Sequence, residues 1–168
     1  MTKILYKNPC KWEQDIYISY MSISLCVRAF IRNPKGEFLL VKHKEDRPWT
    51  LPGGHVEEGE LYDLALEREL WEEFQIKVKF DSMSYEAKEI FVRVQPLPLT
   101  IHSISYKNSR GELITKQELF YAVTTNDEIQ YQQASEIFAW KWRSKEEIIN
   151  NIHGHIYPNI VEIVNQKF

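Results

Sequence analysis

The chain has 168 residues, which suits one domain; a chain of this size buries about 70% of its unfolded surface, so folding requires no disulfide or structural metal. Its 43% hydrophobic and 27% charged residues are ordinary for a globular protein. A formal net charge of −3 gives no electrostatic basis for stable nucleic-acid binding or for lying on an anionic membrane.

The N-terminal stretch MTKILYKNPCKW lacks the apolar core of a secretion signal, and no apolar run approaches the roughly 20 residues that span a bilayer. Cys10 and Cys26 show no metal-type spacing, and Cys26 reads as a small core residue within an apolar run. The expectation is a reduced, cytoplasmic, single-domain protein over residues 1–168. Ser22 to Ile31 alternates, with Ile23, Leu25, Val27, Ala29 and Ile31 on one side, which predicts a strand. Asn33-Pro34-Lys35-Gly36 is turn chemistry, and Glu37 to His43 reads as the returning strand. Trp49 to Leu51 is read as a short strand ending at Pro52-Gly53-Gly54. Glu60 to Phe74 is free of Gly and Pro and predicts a helix. Further strands are expected over Ile76 to Phe80, Ala87 to Val94, Thr100 to Tyr106, Glu118 to Thr125 and Ile137 to Trp142. Ser144 reads as the N-cap of a helix with acids in its first turn, and Ile160 to Val164 as another short helix. Strands with irregularly interposed helices predict an α+β fold, an α/β/α sandwich.

The Glu60 to Phe74 helix poses a physical question. At 100° per residue, Glu69, Glu72 and Glu73 share an arc with Tyr62 and Ala65, and Leu64, Leu70, Trp71 and Phe74 fall on the side where a core could receive them. Like charges at this spacing repel by roughly 0.2–0.5 kcal/mol per pair. A solvated acidic face is the plain explanation. Against it, no Lys or Arg follows these acids at the fourth position except Lys77, beyond the helix end. The loop before the helix carries Pro52, Gly53, Gly54 and Gly59, more backbone freedom than a plain connection requires. A hard divalent cation held by carboxylates and substrate phosphates would resolve the repulsion, with small Ala65 letting a ligand approach.

At this point the sequence resembles the Nudix hydrolase (MutT-like) box. Gly54, then Glu60, then Arg68-Glu69-Leu70-Trp71-Glu72-Glu73-Phe74-Gln75-Ile76 match every defined position except the late glycine, which is Gln75. Phe38 to Lys42, Trp49 to Gly54 and Ser135 to Trp142 resemble the family's flanks, so the likeness runs from about residue 22 to 149. The resemblance implies a Nudix fold with a mixed sheet between helices. It also implies hydrolysis of a nucleoside diphosphate linked to another group, water attacking phosphorus at a Mg²⁺ or Mn²⁺ site. On that likeness Glu69, Glu72 and Glu73 would bind metal with a loop carbonyl such as that of Gly54, and Glu69 or Glu136 would act as base. Glu60 and Arg68 would support the site, and Gly53 and Gly59 would shape its loop. Gln75 puts the helix exit in question and leaves the chemistry alone.

For the substrate, a small-molecule nucleotide, Arg28, Lys42 and His43 are the phosphate candidates, with Arg47 behind them. Arg28 interrupts a strand with a charge and could hold an anion in its fork, or reach solvent. Trp12, Trp49, Trp140 and Trp142 are candidates for stacking on a base or for packing, and His153-Gly154-His155 reads as a turn. The marks that ADP-ribose, diadenosine polyphosphate and coenzyme A subfamilies carry are missing. A homodimer is possible, since many relatives dimerise. A nucleotide-sensing module without turnover is the alternative reading.

Overall fold

The computed structural model describes residues 23–82, 85–87, 92–108, 110–129, 137–151 and 155–168. Alternation makes β1 (Ile23–Arg32) a strand, and the absence of charge from most of it places it centrally: Cys26, Val27, Ala29, Phe30 and Ile31 are fully buried. The Asn33 side chain closes the next turn by accepting from the backbone N–H groups of Lys35 and Glu37, each at 3.0 Å, with Gly36 at φ 77°. β2 (Phe38–Lys42) then returns antiparallel. After the glycine-rich loop come α1 (Tyr62–Phe74), β3 (Lys79–Phe80), the β4 (Tyr85–Ala87) and β5 (Val92–Val94) hairpin, β6 (Thr100–Lys107), β7 (Leu113–Thr124), β8 (Ala139–Arg143), α2 (Lys145–Ile149) and α3 (Pro158–Lys167).

The main sheet runs β3-β7-β1-β2-β8, with β6 on β7 as well. β7 pairs parallel with β1 from Ile23↔Thr115 to Arg32↔Thr124, while its other edge takes β6 and β3 in turn, both antiparallel. Two cores follow from the period of two. Val27, Ala29, Ile31, Leu39, Val41, Leu119, Tyr121 and Val123 face α1. Phe30, Phe38, Leu40 and Phe120 face Ile148 of α2 and Ile160, Ile163 and Val164 of α3. Helix, mixed sheet, helix: the α+β sandwich is as the pattern predicts. Ser144 caps α2 in a full capping box with Glu147.

Several elements differ from expectation. Of the strand expected over 87–94, the described residues belong to two: β4 ends at Ala87, β5 starts at Val92, and they pair antiparallel with each other outside the main sheet. Trp49 to Leu51 makes only isolated bridges, Val41↔Thr50 and Trp49↔Ile156. β7 begins at Leu113, five residues before Glu118, because β6 supplies ladder partners along that whole length. On α1 the buried positions are Asp63, Ala65, Leu66, Leu70, Glu73 and Phe74. Leu64 and Trp71, expected in the core, are 40% and 50% exposed, and Ala65 lies in the core instead of beside a ligand groove. The buried stripe runs through 63, 66, 70, 73 and 74, one step round from the arc assumed, and so carries Glu73 to the rim of the core. Among the described residues no helix is long and apolar enough to cross a membrane.

Candidate functional site

The loop before α1 is held against β1 as if it were a strand. Val27 N–H donates to the Gly54 carbonyl at 2.9 Å, Ala29 N–H to the Pro52 carbonyl at 3.0 Å, and Val56 N–H to the Leu25 carbonyl at 3.0 Å. Gly53 sits at φ 117°, and a Cβ there would stand 2.3 Å from the Val27 carbonyl oxygen, so only glycine fits. At Gly54 the constraint is different: a Cβ would stand 2.4 Å from the Glu69 carboxyl group. Glu73, 6% exposed, accepts the Gly53 N–H on Oε2 at 3.1 Å. The two glycines thus let two helix carboxylates come up against backbone.

Arg68 gathers the remaining acids. Its Nε and Nη2 donate to the two oxygens of Glu60 at 2.9 and 3.0 Å, a fork on a carboxylate. Its Nη1 reaches Glu69 at 3.0 Å and Glu72 at 3.3 Å, and Nη2 also reaches the His55 carbonyl at 3.0 Å. Glu60 in turn accepts the Glu57 N–H at 3.0 Å, which fixes the turn at Gly59, where φ is 78°. This corrects the sequence argument that no cation serves these acids: the cation precedes Glu69 and Glu72, and one guanidinium is shared among three carboxylates. The bond from Arg68 holds the Glu60 carboxyl below the usual carboxylate range. Burial pushes Glu69 upward, against the hydrogen bond from Arg68. Helix and loop are therefore clamped together through Arg68 and Glu60.

Glu69, Glu72 and Glu73 offer hard oxygen donors on one side of α1. Among the described residues no three His, Cys, Asp or Glu side chains are placed to hold a metal ion together. An open site of one or two carboxylates completed by waters and phosphates is how Mg²⁺ is typically held, so the donor chemistry fits that class of ion. The Gly54 carbonyl, expected as a further ligand, already accepts the Val27 N–H. Glu136, expected as base, lies outside the described residues, as do Cys10, Trp12, His153 and Gly154.

The phosphate candidates are placed apart. Arg28, nearly buried, donates to the carbonyls of Gly53 and Leu51 (the latter at 3.4 Å) and pairs with Glu118 at 3.5 Å. It fastens the loop from behind rather than reaching solvent. Lys42 lies over the Trp49 ring at 5.8 Å, with Lys141 over the same ring at 4.0 Å, so Trp49 packs against amines. His43 is half-buried and Arg47 exposed. Cys26 is a buried free thiol, as expected of a core residue. Exposed Leu64 and Trp71 border an open groove of about 470 Å³ on the outer side of α1, reaching Arg68 but lined by none of Glu69, Glu72 or Glu73. Sequence reasoning missed Glu118. Its signal was there: an acid at the start of the strand expected over Glu118 to Thr125, as Arg28 is a base inside another.

Comparison with known proteins bears on family and fold. The NUDIX domain family matches residues 24–160. A "MutT-like protein" of Streptomyces ambofaciens is 31% identical over 61 residues, 36% of this chain and 40% of that protein. The match thus spans about two fifths of that relative's length. The MutT protein of Methanosarcina mazei Go1 superimposes with TM-score 0.61 at 20% identity, over 88% of this chain and 94% of its own. A NUDIX-family hydrolase from Clostridium perfringens gives 0.59 at 24%, over 85% and 95%. A Caenorhabditis elegans Ap4A hydrolase complex gives 0.54 at 20%, over 84% and 93%. With the box on α1, the glycine loop docked on its carboxylates and a family match over most of its length, the chain belongs to the NUDIX family.

Proposed function

We propose that the protein is a metal-dependent pyrophosphohydrolase that cleaves a nucleoside diphosphate linked to another group. The observation that carries this reading is the docking of Glu69 and Glu73 against Gly54 and Gly53, with Arg68 clamping Glu69 and Glu72 beside them. Mg²⁺, or Mn²⁺ in its place, is the cation that Glu69, Glu72 and Glu73 would hold. When bound, such an ion neutralises the pyrophosphate and makes water more acidic. The chain's own part is orientation. Arg68 fixes the Glu69 carboxylate by a charge-assisted bond, and Gly53 N–H fixes Glu73, so neither reorganises at the moment of reaction. Glu69, held by Arg68 at 3.0 Å, is one candidate to take a proton from water in place of a metal bond, with Glu136 as the other. Likeness to an Ap4A hydrolase and to a UDP-X diphosphatase supports nucleotide substrates as a class. Localisation to the cytoplasm is part of the same proposal.

The test is release of nucleotide and phosphate from NTPs, ADP-ribose, nucleotide sugars, dinucleoside polyphosphates and NADH, with Mg²⁺, with Mn²⁺ and with chelator. Metal-dependent cleavage of one class is the expected outcome. Specific nucleotide binding with no turnover of any class in either metal would favour a sensing module instead.

A further inference from the structure

Gly53 is gripped at both ends. Its N–H donates to Glu73, and its carbonyl accepts from Arg28. Arg28 in turn depends on Glu118, which is 8% exposed and lies on β7 in register with Cys26, on the face that Arg28 shares. The Glu118 Oε1 that meets Arg28 Nε at 3.5 Å also takes the Lys116 ammonium at 2.9 Å. Two cations thus converge on one buried carboxylate behind the loop.

We propose that Glu118 is a positioning residue of the carboxylate site: it aims the Arg28 guanidinium at the carbonyl of Gly53, the residue whose N–H holds Glu73. The inference rests on the metal-hydrolase reading for its consequence, but not for its geometry. Without the Glu118 charge, Arg28 and Lys116 face each other with no counter-charge between them. A guanidinium that has lost its carboxylate is no longer held in one orientation on the Gly53 carbonyl. Gly53 is then held at one end only, and its N–H fixes the Glu73 carboxylate less firmly. Lys116 acts in the opposite sense, since it competes with Arg28 for the same oxygen.

The experiment compares Glu118→Gln and Lys116→Gln with wild type in two readouts: Mn²⁺ affinity by calorimetry, and amide hydrogen exchange at Gly53 and Val27 in metal-free protein. Glu118→Gln is expected to weaken Mn²⁺ binding about tenfold, the order seen when groups that orient metal ligands are lost, and to speed exchange at Gly53. Lys116→Gln is expected to leave Mn²⁺ affinity and Gly53 protection from exchange at least as strong as in wild type, even with a comparable fall in Tm. Equal losses in both variants, in proportion to their fall in Tm, would mean a purely structural role and overturn the proposal. So would wild-type exchange and affinity in Glu118→Gln. If wild type binds no Mn²⁺, the metal reading fails, and Gly53 exchange alone decides this proposal. Arg28→Lys separates it from direct substrate contact: weaker Mn²⁺ binding with unchanged KM supports positioning, whereas raised KM with unchanged Mn²⁺ affinity contradicts it.

Discussion

Gly53 and Gly54 are neighbours with different obligations. At Gly53 a side chain meets backbone, the Val27 carbonyl, in a left-handed conformation. Gly53→Ala should therefore destabilise the fold by about 3 kcal/mol, read as a fall in Tm. At Gly54 the atoms nearest a side chain are those of the Glu69 carboxyl group, the end of a side chain rather than backbone. Gly54→Ala should keep its stability within about 1 kcal/mol of wild type while displacing that carboxylate and lowering turnover on the order of 100-fold. Equal stability losses in the two variants would refute this division. Gln75 occupies the place of the family's helix-ending glycine and takes up its backbone, φ 55° and ψ 33°, with its N–H on the Trp71 carbonyl. The helix exits as the glycine would have it, at a conformational cost of about 1 kcal/mol. Gln75→Gly should raise stability by up to about 1 kcal/mol, or about 3 °C in Tm, and Gln75→Ala should not.

At the scale of elements, the pieces with local signals were legible: the alternation of β1, the Asn33 turn, the box helix and the Ser144 capping box. What depends on distant partners was not. The stripe that α1 buries includes Asp63, whose partner is Arg93 on β5, 2.6 Å away and thirty residues on. Nothing near Asp63 in sequence announces that its carboxylate is buried. This pair ties the β4–β5 hairpin to the first turn of α1. Arg93 is one-third exposed, so Arg93→Met should cost about 2 kcal/mol, less than a fully buried pair, by leaving Asp63 without its cation. Double substitution with Asp63→Asn should recover part of that loss; if each change costs the same alone or together, the pair is not coupled. The repulsion inferred among the helix acids was similarly misjudged. Arg68 answers for Glu60, Glu69 and Glu72 by folding back over its own helix, a contact set by rotamers rather than by spacing alone.

For the whole molecule, the site arises where three things meet: the edge of β1 beside β2, the glycine loop that fills it, and the one face of α1 on which core and carboxylates adjoin. The box itself was readable because its residues lie within a single loop and helix. Arg28 was readable as unusual, but its engagement with the loop carbonyls and Glu118 is a product of the parallel β1–β7 pairing, which brings together residues ninety apart. The central claim is that the carboxylates of α1 are arranged to receive a divalent cation. The most direct test is a calorimetric titration of Mg²⁺ into wild type and Glu73→Gln. The account predicts binding to wild type, at least about tenfold weaker binding to the variant, and a variant fold of undiminished stability without metal. Equal Mg²⁺ affinity in the two proteins would contradict it.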